Sequence, residues 1–347
     1  MNSDYFEFDK LSRDRLEEIL EKITKVKIVL LGDVCLDVYW KADMTKSVLS
    51  RETPHFPLPV VEERMSPGAG GNAAANICAL NVSELEILSV IGDDWRGAAL
   101  RAEFKKRGMR TDSLISCAGI ITNAYCKPLR CGISETIYED PRIDFAGCIP
   151  IPEEQEHKLI ETLESAAQNA DAICICDQFS FGCVTDKVRD KISELGEKGI
   201  IIVADSRERI SLFKNITIKP NEIEAGFAAF DDFQPTRASF DTYKDAAVKL
   251  SEKTCSNVCI TLGDKGGIYA EKGKVYYIPT IPVQGEIDIC GAGDTFLSAF
   301  TCALAAGAEG WEAVAFANLA SAVTIKKISM TGTAGPSEIR AKYQELS

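Results

Sequence analysis

The chain has few histidines and an excess of negative charge. Among its 347 residues only His55 and His157 are histidines. This number argues against a catalytic triad with a histidine base and against a metal centre of several histidines. Lys and Arg total 39 against 52 Asp and Glu, a formal net charge of −13. Such an acidic chain is a poor partner for nucleic acid or an anionic membrane.

The sequence also lacks targeting and membrane signals. Its first residues are acidic and have no apolar core of a signal peptide, and no apolar stretch approaches the roughly 20 residues that span a bilayer. The chain has 13 cysteines but no C-x-x-C spacing. We therefore predict a cytoplasmic protein with reduced, buried thiols rather than disulfides or a zinc site.

Short β-branched segments alternate with helical patterns along the chain. The predicted strands are 26–33, 85–91, 172–177, 199–205, 216–219 and 257–262. The predicted helices are 12–23, 72–80, 96–107, 152–168, 184–196 and 242–253. This alternation predicts an α/β fold with a central, mostly parallel sheet and helices on both faces.

Two stretches depart from the alternation. Segments of about 38–65 and 122–145 look like strands without helices, and 268–278 looks like a hairpin. They predict a small β-sheet lid outside the main sheet. Because we find no repeat or linker, we expect residues 1–347 to form a single domain with this lid.

The most informative segment is Asp288–Phe296, which opens an apolar helix predicted over 291–306. The backbone N–H groups of Gly291, Ala292 and Gly293 would lie at the positive end of that helix and could bind an anion. A carboxylate, Asp294, lies in the same turn. This combination suits phosphoryl transfer to a hydroxyl, with Asp294 as the base. The alternative is a tight turn whose acid only favours the helix dipole.

Polar residues after the first strand and in a glycine-rich turn suit a hydroxylated ligand. Asp33 and Asp37 follow the first strand, where open α/β sheets bind ligands, although they could be two solvated loop acids. Gly68 and Gly70 permit close approach of a ligand to Asn72, whose amide is both donor and acceptor. The same turn imitates a dinucleotide fingerprint, but it comes too late in the chain for one.

Two further motifs suit a nucleotide with its metal. Asn221 and Glu224 supply oxygen ligands of the kind that Mg²⁺ prefers, and they also fit an N-cap with its capping-box partner. Both interpretations can hold together. Gly263 and Gly266 form a turn after a strand that is not a Walker P-loop. It fits a hairpin turn over which a nucleotide could lie.

These motifs occur in the order found in the ribokinase/PfkB carbohydrate kinase family, which the chain resembles from about Lys27 to Pro336. The Gly-Ala-Gly-Asp segment is the most specific of them. Within the family, the chain is most similar to the D-glycero-beta-D-manno-heptose-7-phosphate kinases of ADP-heptose synthesis. That closer likeness lies in residues 32–40, 50–54, 59–61 and 142–145.

The resemblance implies a ribokinase-like fold and ATP-dependent phosphorylation of a sugar or sugar phosphate, with heptose 7-phosphate at its anomeric C1 hydroxyl as the first candidate. It implies Asp294 as base and Gly291, Ala292 and Gly293 as anion hole. The implied sugar ligands are Asp33, Asp37, Gly68, Gly70 and Asn72. Asn221 and Glu224 would organise Mg²⁺, and the ATP site would include Asn221, Gly263, Gly266 and Asn318. The family also implies a monovalent cation such as K⁺ near Asp288.

Two departures from the family leave the acceptor open. Ala69 replaces a second glycine, and Gln178-Phe179-Ser180 replaces a more basic segment. Fructose, ribose or ketodeoxygluconate are alternative acceptors, and a non-catalytic sugar-binding relative is the alternative from another class.

Cations and apolar residues of the lid carry two more predictions. Lys127, Arg130 and Arg142, with Arg51, could hold the phosphate of a sugar phosphate, or they could be ordinary surface charge. The lid segment has apolar residues that no helix covers, so we predict a homodimer through the lid. A lid that folds back on its own domain is the alternative.

Overall fold

A computed structural model describes residues 5–8, 11–280, 283–328 and 331–345. Its strands are β1 (Tyr5–Glu7), β2 (Lys27–Gly32), β3 (Val34–Asp43), β4 (Val60–Ala69), β5 (Glu84–Gly92), β6 (Leu114–Cys117), β7 (Ala124–Cys131), β8 (Tyr138–Glu139), β9 (Ile143–Phe145), β10 (Ala172–Asp177), β11 (Ile201–Ser206), β12 (Thr217–Ile218), β13 (Val258–Thr261), β14 (Gly267–Glu271) and β15 (Lys274–Ile278). Its helices are α1 (Arg13–Ile23), α2 (Gly70–Ala79), α3 (Trp95–Lys106), α4 (Glu153–Ala167), α5 (Asp186–Glu197), α6 (Glu222–Ala229), α7 (Phe240–Thr254), α8 (Ala292–Ala305), α9 (Gly310–Thr324) and α10 (Pro336–Glu345).

The main sheet runs in the order β1-β15-β14-β13-β12-β11-β10-β2-β5-β6. Its neighbouring strands are parallel, except that β14 is antiparallel to both β13 and β15. All six residues of β10 are buried, as expected for a parallel strand covered on both faces. The predicted mostly parallel sheet is confirmed.

Helices cover both faces of this sheet. One apolar cluster joins the sheet to α1, α2, α3, α8, α9 and α10, and the other joins it to α4, α5, α6 and α7. Helix α8 is buried at every residue from Thr295 to Ala303, so it lies inside the molecule with its N-terminus at one edge of the sheet. No helix of the described residues is long and apolar enough to cross a membrane.

The two stretches without helices form a second, smaller sheet, the lid. Strand β3 pairs antiparallel with β4 and parallel with β7, and β7 also pairs with β8 and β9. Only Asp33 separates β2 from β3, so strand β2 of the main sheet leads directly into the lid. Asp37 therefore lies inside strand β3, and the alternative that it is a loop acid is wrong.

All 13 cysteines are free thiols, as predicted. Eight of them are buried, but Cys148, Cys255 and Cys290 are exposed, and the other two are intermediate. The expectation of uniformly buried thiols is corrected at these positions. Cys290 directly precedes the glycine turn of α8.

Candidate active site

The candidate site lies where the carboxyl ends of β2 and β10 to β13 meet the N-terminus of α8. Gly291 precedes the helix with φ +79°, a left-handed conformation that favours glycine. A Cβ at this position would lie 2.7 Å from Nδ2 of Asn72. The turn therefore needs glycine for its conformation and for the close approach of Asn72.

Asp294 and Asn72 meet in the site, although they are 222 residues apart in the chain. The Asn72 amide donates a hydrogen bond of 2.8 Å to Oδ2 of Asp294. Asn76, one turn later in α2, donates to the Asn72 carbonyl and accepts a hydrogen bond from Thr295. These contacts fix the Asp294 carboxylate against the start of α2.

The surroundings of Asp294 make its carboxyl group harder to ionise than an exposed one. Burial raises the pKa of Asp294 to about 6, and the negative charge of Asp205 adds to the rise. The Asn72 hydrogen bond and the charge of Lys219 act in the opposite direction. A carboxylate with a pKa near 6 is ionised at neutral pH and is a stronger base than an exposed one.

The first turn of α8 presents backbone amides that could hold an anion. The Ala292 N–H donates to the Ile289 carbonyl at 3.1 Å, so it is taken. Within the described part of the chain, the N–H groups of Gly293 and Asp294 form no hydrogen bond. No atom outside the turn lies within 4 Å of a Cβ built on Gly293, so this part of the turn is open. The predicted anion hole thus keeps Gly293, while the Ala292 amide is already paired.

Asp33 is buried rather than solvated, which corrects one alternative. It is 3% exposed, and its carboxylate accepts backbone N–H groups of Gln178, Phe179 and Cys183 at 2.7–2.8 Å. Burial raises the pKa of Asp33 to about 6, against the effect of these hydrogen bonds. Both oxygens hold the segment after β10, so sugar binding by Asp33 stays a prediction without support from this geometry.

Asp37 lies beside the glycine-rich turn. It is 5% exposed, and a Cβ on Gly68 would come within 2.8 Å of its carboxylate. Burial raises the pKa of Asp37, while Lys127, Arg142 and other cations lower it. The Gly70 N–H donates to the Asp33 carbonyl at 2.8 Å, which joins the turn to the end of β2.

A row of cations crosses the lid beside Asp37. Tyr39 is opposite Arg64 in the β3–β4 pairing and opposite Lys127 in the β3–β7 pairing. The Arg64 guanidinium lies 4.2 Å from the centre of the Tyr39 ring, and Lys127 donates to the Tyr39 hydroxyl at 3.2 Å. We call Arg64, Tyr39 and Lys127 the lid cation row.

The other predicted cations are placed differently. Arg142 lies 4.1 Å from the centre of the Tyr125 ring, next to the row, but it is paired with Asp144. Arg130 is paired with Asp140 and stands opposite Ala42, five residues beyond Asp37 along β3. Five residues of strand span roughly 16 Å, so the structure does not bring Arg130 to the site. Arg51 lies on an exposed stretch of the lid.

Asn221 and Glu224 form the N-terminus of α6. The Asn221 side chain accepts the N–H groups of Ile223 and Glu224, and Oε2 of Glu224 accepts the Asn221 N–H at 2.9 Å. The predicted capping box is confirmed. Burial and the neighbouring charge of Asp205 raise the pKa of Glu224, so the site has an excess of negative charge that Lys219 only partly offsets.

The predicted nucleotide-side glycines and Asn318 meet next to Ile278. Gly266 has φ +95°, and its Cβ would collide with backbone atoms of Ile278 and Thr280. The Asn318 amide donates to the Ile278 carbonyl at 3.5 Å. Gly263 has φ +59° and open space around it. The structure therefore brings Gly263, Gly266 and Asn318 to one end of β13 and β15.

Three charged residues of the site, Asp205, Lys219 and Arg64, were not predicted from the sequence. Asp205 is the last residue but one of β11, and it pairs with Lys219 at 3.3 Å. The Lys219 side chain is 4% exposed. The charges of Asp205 and Glu224 outweigh burial and raise the pKa of Lys219. Their position at the ends of buried strands was a usable signal for these two residues. Arg64 had none, since only the pairing of β3 with β4 brings it to Tyr39.

The segment after β10 also receives cations from the next loop. Arg209 pairs with the fully buried Asp177 and donates to the carbonyls of Phe179 and Ser180. Arg207 donates to the Gln178 side chain at 3.1 Å. Arg207 and Arg209 thus bring positive charge to the segment 178–180, which has no cation of its own.

Comparison with known proteins now decides the family. Residues 150–336 match the model of the pfkB family carbohydrate kinases, which is more than half of the chain. The chain belongs to the pfkB carbohydrate kinase family. The predicted enzyme class, a sugar kinase, is confirmed with it.

The curated relatives of this pfkB kinase share a little over a quarter of its residues. The bifunctional protein HldE of Pelobacter propionicus is 28% identical over 339 residues, which cover 95% of this chain and 65% of that protein. HldE of Trichlorobacter lovleyi is 27% identical over 335 residues with the same coverage. The pfkB kinase thus spans about two thirds of the length of these relatives.

Solved structures confirm the ribokinase-like fold. Ribokinase of Arabidopsis thaliana, complexed with ribose and ATP, has a TM-score of 0.67 and 18% identity, covering 92% of this chain and 98% of the other. Phosphofructokinase-2 of Escherichia coli, in complex with fructose-6-phosphate, has a TM-score of 0.71 and 20% identity, with 92% and 99% covered.

Proposed function

We propose that this kinase transfers the γ-phosphoryl group of ATP to a hydroxyl of a phosphorylated sugar, with the anomeric C1 hydroxyl of heptose 7-phosphate as the first candidate. The observation that carries the chemistry is the desolvated Asp294 carboxylate, held by Asn72 beside the open amide of Gly293. The similarity to the HldE proteins supports heptose as the sugar.

Asp294 would act as the general base. It takes the proton of the acceptor hydroxyl while that oxygen forms a bond to the γ-phosphorus and the bond to the ADP oxygen breaks. The amides of Gly293 and Asp294, at the positive end of α8, would stabilise the negative charge of the migrating group. Asn72 keeps the carboxylate oriented for this step.

The acidic cluster beside α6 fits a divalent cation. Asp205 and Glu224 together give this region an excess of negative charge. The capping bond from the Asn221 N–H uses only one oxygen of Glu224, Oε2. Mg²⁺ usually takes one or two carboxylates and keeps several waters, so these two residues would hold it together with the ATP phosphates. When bound, it neutralises charge on the phosphates. Lys219 would add positive charge on the same side.

Residues on either side of this centre would hold the two substrates. Gly263, Gly266 and Asn318 line the end where the nucleotide base and ribose would lie. Asp37 and Asn72 face the acceptor hydroxyls, and Gly68 allows the acceptor to approach Asp37 closely.

The lid cation row supports a phosphorylated acceptor. Arg64 and Lys127 flank Tyr39 next to Asp37, and no carboxylate within the described residues forms a salt bridge with Lys127. Lys127 is partly buried, and its pKa is raised because the effect of burial is outweighed by its bond to Tyr39 and the charge of Asp37. Its ammonium is therefore charged and would form a charge-assisted hydrogen bond to a substrate phosphate.

A panel of acceptors tests the proposal. ADP formation should be measured for heptose 7-phosphate, fructose 6-phosphate and the corresponding free sugars, with ribose and ketodeoxygluconate added. We expect kcat/KM for the best sugar phosphate to exceed that of its free sugar by about 100-fold or more, the scale of one or two charged hydrogen bonds. Equal efficiency would reject a phosphorylated acceptor and favour the free-sugar alternatives. No ADP formation with any acceptor would favour a non-catalytic relative.

Variants of the lid separate phosphate binding from general damage. Lys127→Met should lower kcat/KM for the sugar phosphate about tenfold or more and leave the free sugar nearly unchanged. Lys41→Met is the matched control, because Lys41 lies on the same lid but pairs with Glu62. If the two variants behave alike, the lid cation row does not bind the phosphate.

A further inference from the structure

One arginine beside the candidate site has no acidic partner in the part of the chain that the structure describes. Arg207 directly follows β11, and no carboxylate of those residues forms a salt bridge with it. Its Nε donates a hydrogen bond of 3.1 Å to the side-chain oxygen of Gln178, which is neutral. Arg209, two residues later, is instead held by the fully buried Asp177. The Arg207 guanidinium is therefore the less constrained of the two.

The main sheet directs Arg207 toward the candidate site. Strands β10 and β11 pair in parallel as far as Asp177 and Ser206. The Arg207 N–H donates to the Asp177 carbonyl at 3.2 Å, so the backbone pairing extends to this residue. Alternate residues of a strand share a face, and Arg207 thus continues the row of Val203 and Asp205. Val203 packs into the apolar cluster that contains α8, so this is the face of the sheet on which α8 begins.

The charge of Arg207 acts on both halves of the site. On the side of α6, burial raises the pKa of Glu224, and Arg207 is one of the cations that oppose the rise. On the lid, Tyr125 stands directly opposite Asp37 in the β3–β7 pairing. Burial raises the pKa of Tyr125 as well, and the charge of Arg207 again opposes the rise. Arg207 is therefore within electrostatic reach of the acids proposed for Mg²⁺ and of the lid strand proposed for the acceptor.

A phosphoryl group in transfer would pass between these two halves. It would leave the ADP oxygen near Asp205 and Glu224 and join the acceptor hydroxyl near Asp294, and its non-bridging oxygens carry negative charge throughout. A guanidinium presents N–H donors in a planar fork that fits such oxygens. Arg207 would give up only one hydrogen bond to a neutral amide when it turns to them, which costs less than breaking an ion pair.

We propose that Arg207 is a further catalytic residue of this kinase, whose guanidinium turns from Gln178 to the γ-phosphoryl group when ATP binds and stabilises its charge during transfer. The proposal rests on the kinase activity proposed above. Arg207 accepts no proton. Asp294 takes the proton of the acceptor hydroxyl while that oxygen bonds to phosphorus and the bond to the ADP oxygen breaks. The Gly293 amide would contact the group from the side of α8, and Arg207 from the side of β11.

Variants at position 207 test the proposal through turnover. Arg207→Met should lower kcat about 100-fold or more with every acceptor, because the lost contact is to the phosphoryl group. Arg207→Lys should be about tenfold faster than Arg207→Met, since it keeps the charge but not the fork. Arg110→Met is the matched control and should keep wild-type turnover, because Arg110 pairs with Glu84 at the start of β5, the opposite edge of the sheet.

Two kinetic results would overturn the proposal. The first is a kcat of Arg207→Met within about threefold of the wild type, because removal of the guanidinium would then not matter to the transfer step. The second is a loss confined to phosphorylated acceptors, with free sugars unaffected. In that case Arg207 would bind the phosphate of the acceptor and not the group that is transferred.

Nucleotide binding without an acceptor separates this proposal from the proposed function. Isothermal titration compares Mg²⁺ with AMP-PNP, a non-hydrolysable ATP analogue, against Mg²⁺ with ADP. Arg207→Met should weaken binding of AMP-PNP about tenfold and leave the affinity for ADP within about twofold, since ADP has no γ-phosphoryl group. If no acceptor gives ADP, the proposed function fails, and this comparison still tests Arg207. Equal losses for the two nucleotides, or no loss for either, would contradict the role of Arg207 even in an active kinase.

Discussion

At the scale of single residues, two buried carboxylates differ in what they contact. Asp33 uses both oxygens on backbone amides of the segment after β10, whereas among the described residues the Asp294 carboxylate has one hydrogen-bond partner, Asn72. Burial raises the pKa of both to about 6. The Asp33 carboxylate therefore serves to hold the backbone, whereas the Asp294 carboxylate is available to accept a proton.

The pKa of Asp294 predicts the pH dependence of the kinase. A base must be unprotonated, so kcat/KM should rise with pH to a plateau above about 6 and fall about tenfold per unit below it. In the folded protein the pKa values of Asp33 and Asp294 lie above the usual 3.8. The stability that their neutral forms contribute is therefore present below about pH 3.8 and is lost as the pH rises through about 6. Activity lost between neutral pH and pH 5 should therefore return on readjustment, as a pH-rate profile with pH-jump controls would show. Irreversible loss, or a flat profile, would contradict this role.

We expect a glycine substitution at Ala69 to stabilise the protein, although glycine usually destabilises. Ala69 is the N-cap of α2, directly before Gly70, and has φ +50° and ψ −129°, a conformation that glycine adopts far more easily than alanine. Ala69→Gly should raise the free energy of unfolding by about 1 kcal/mol, after the added entropy of the unfolded chain is subtracted. Ala75→Gly, inside the same helix, should lower it by about 1 kcal/mol. Denaturant titration of both variants decides, and a destabilised Ala69→Gly would show that the site needs the methyl group.

At the scale of elements, the sequence predicted the sheet and its helices well. Parallel strands buried on both faces appear as continuous apolar runs, which is why 172–177 was placed to the residue in β10. Helix α9 was missed because apolar residues surround it and leave no amphipathic period to detect. The first part of strand β3, residues 34–37, was missed because Asp33 interrupts a run that continues into the lid.

The candidate site was predictable only where its residues follow one strand or open one helix. Asp294, Asn72, Asn221 and Glu224 fall in that group. The lid cation row depends on the register of β3 with β4 and β7, which no local pattern reports. The same register separates Arg130 from Asp37, although both had seemed suited to the acceptor.

We expect Arg209 to contribute to the free energy of unfolding through the segment after β10. Its guanidinium pairs with the fully buried Asp177 and binds two carbonyls of the segment. Arg209→Met should cost about 3 kcal/mol of unfolding free energy, because it leaves a buried charge unpaired. The double variant Asp177→Asn with Arg209→Met should recover part of that cost. Chemical denaturation measures both, and equal losses in the single and double variants would show that the pair is not coupled.

At the scale of the whole molecule, the lid leaves apolar surface uncovered. Phe56, Val60 and Val61 are each about half exposed or more. A second copy of the lid could cover them, so we keep the prediction of a two-fold homodimer. Light scattering at micromolar concentration should give twice the mass of the chain, and Val61→Glu should give a single chain. A monomeric wild type would rule the lid-to-lid dimer out.

The central claim is that Asp294 is the base of a sugar kinase, and one measurement tests it most directly. Asp294→Asn keeps the size of the side chain and an oxygen for Asn72, but it cannot accept the proton. Turnover with the best acceptor should fall about 100-fold or more, with an unchanged Tm, while Asp190→Asn on the exposed face of α5 keeps wild-type turnover. If Asp294→Asn retains near wild-type turnover, Asp294 is not the base and the account of this site is wrong.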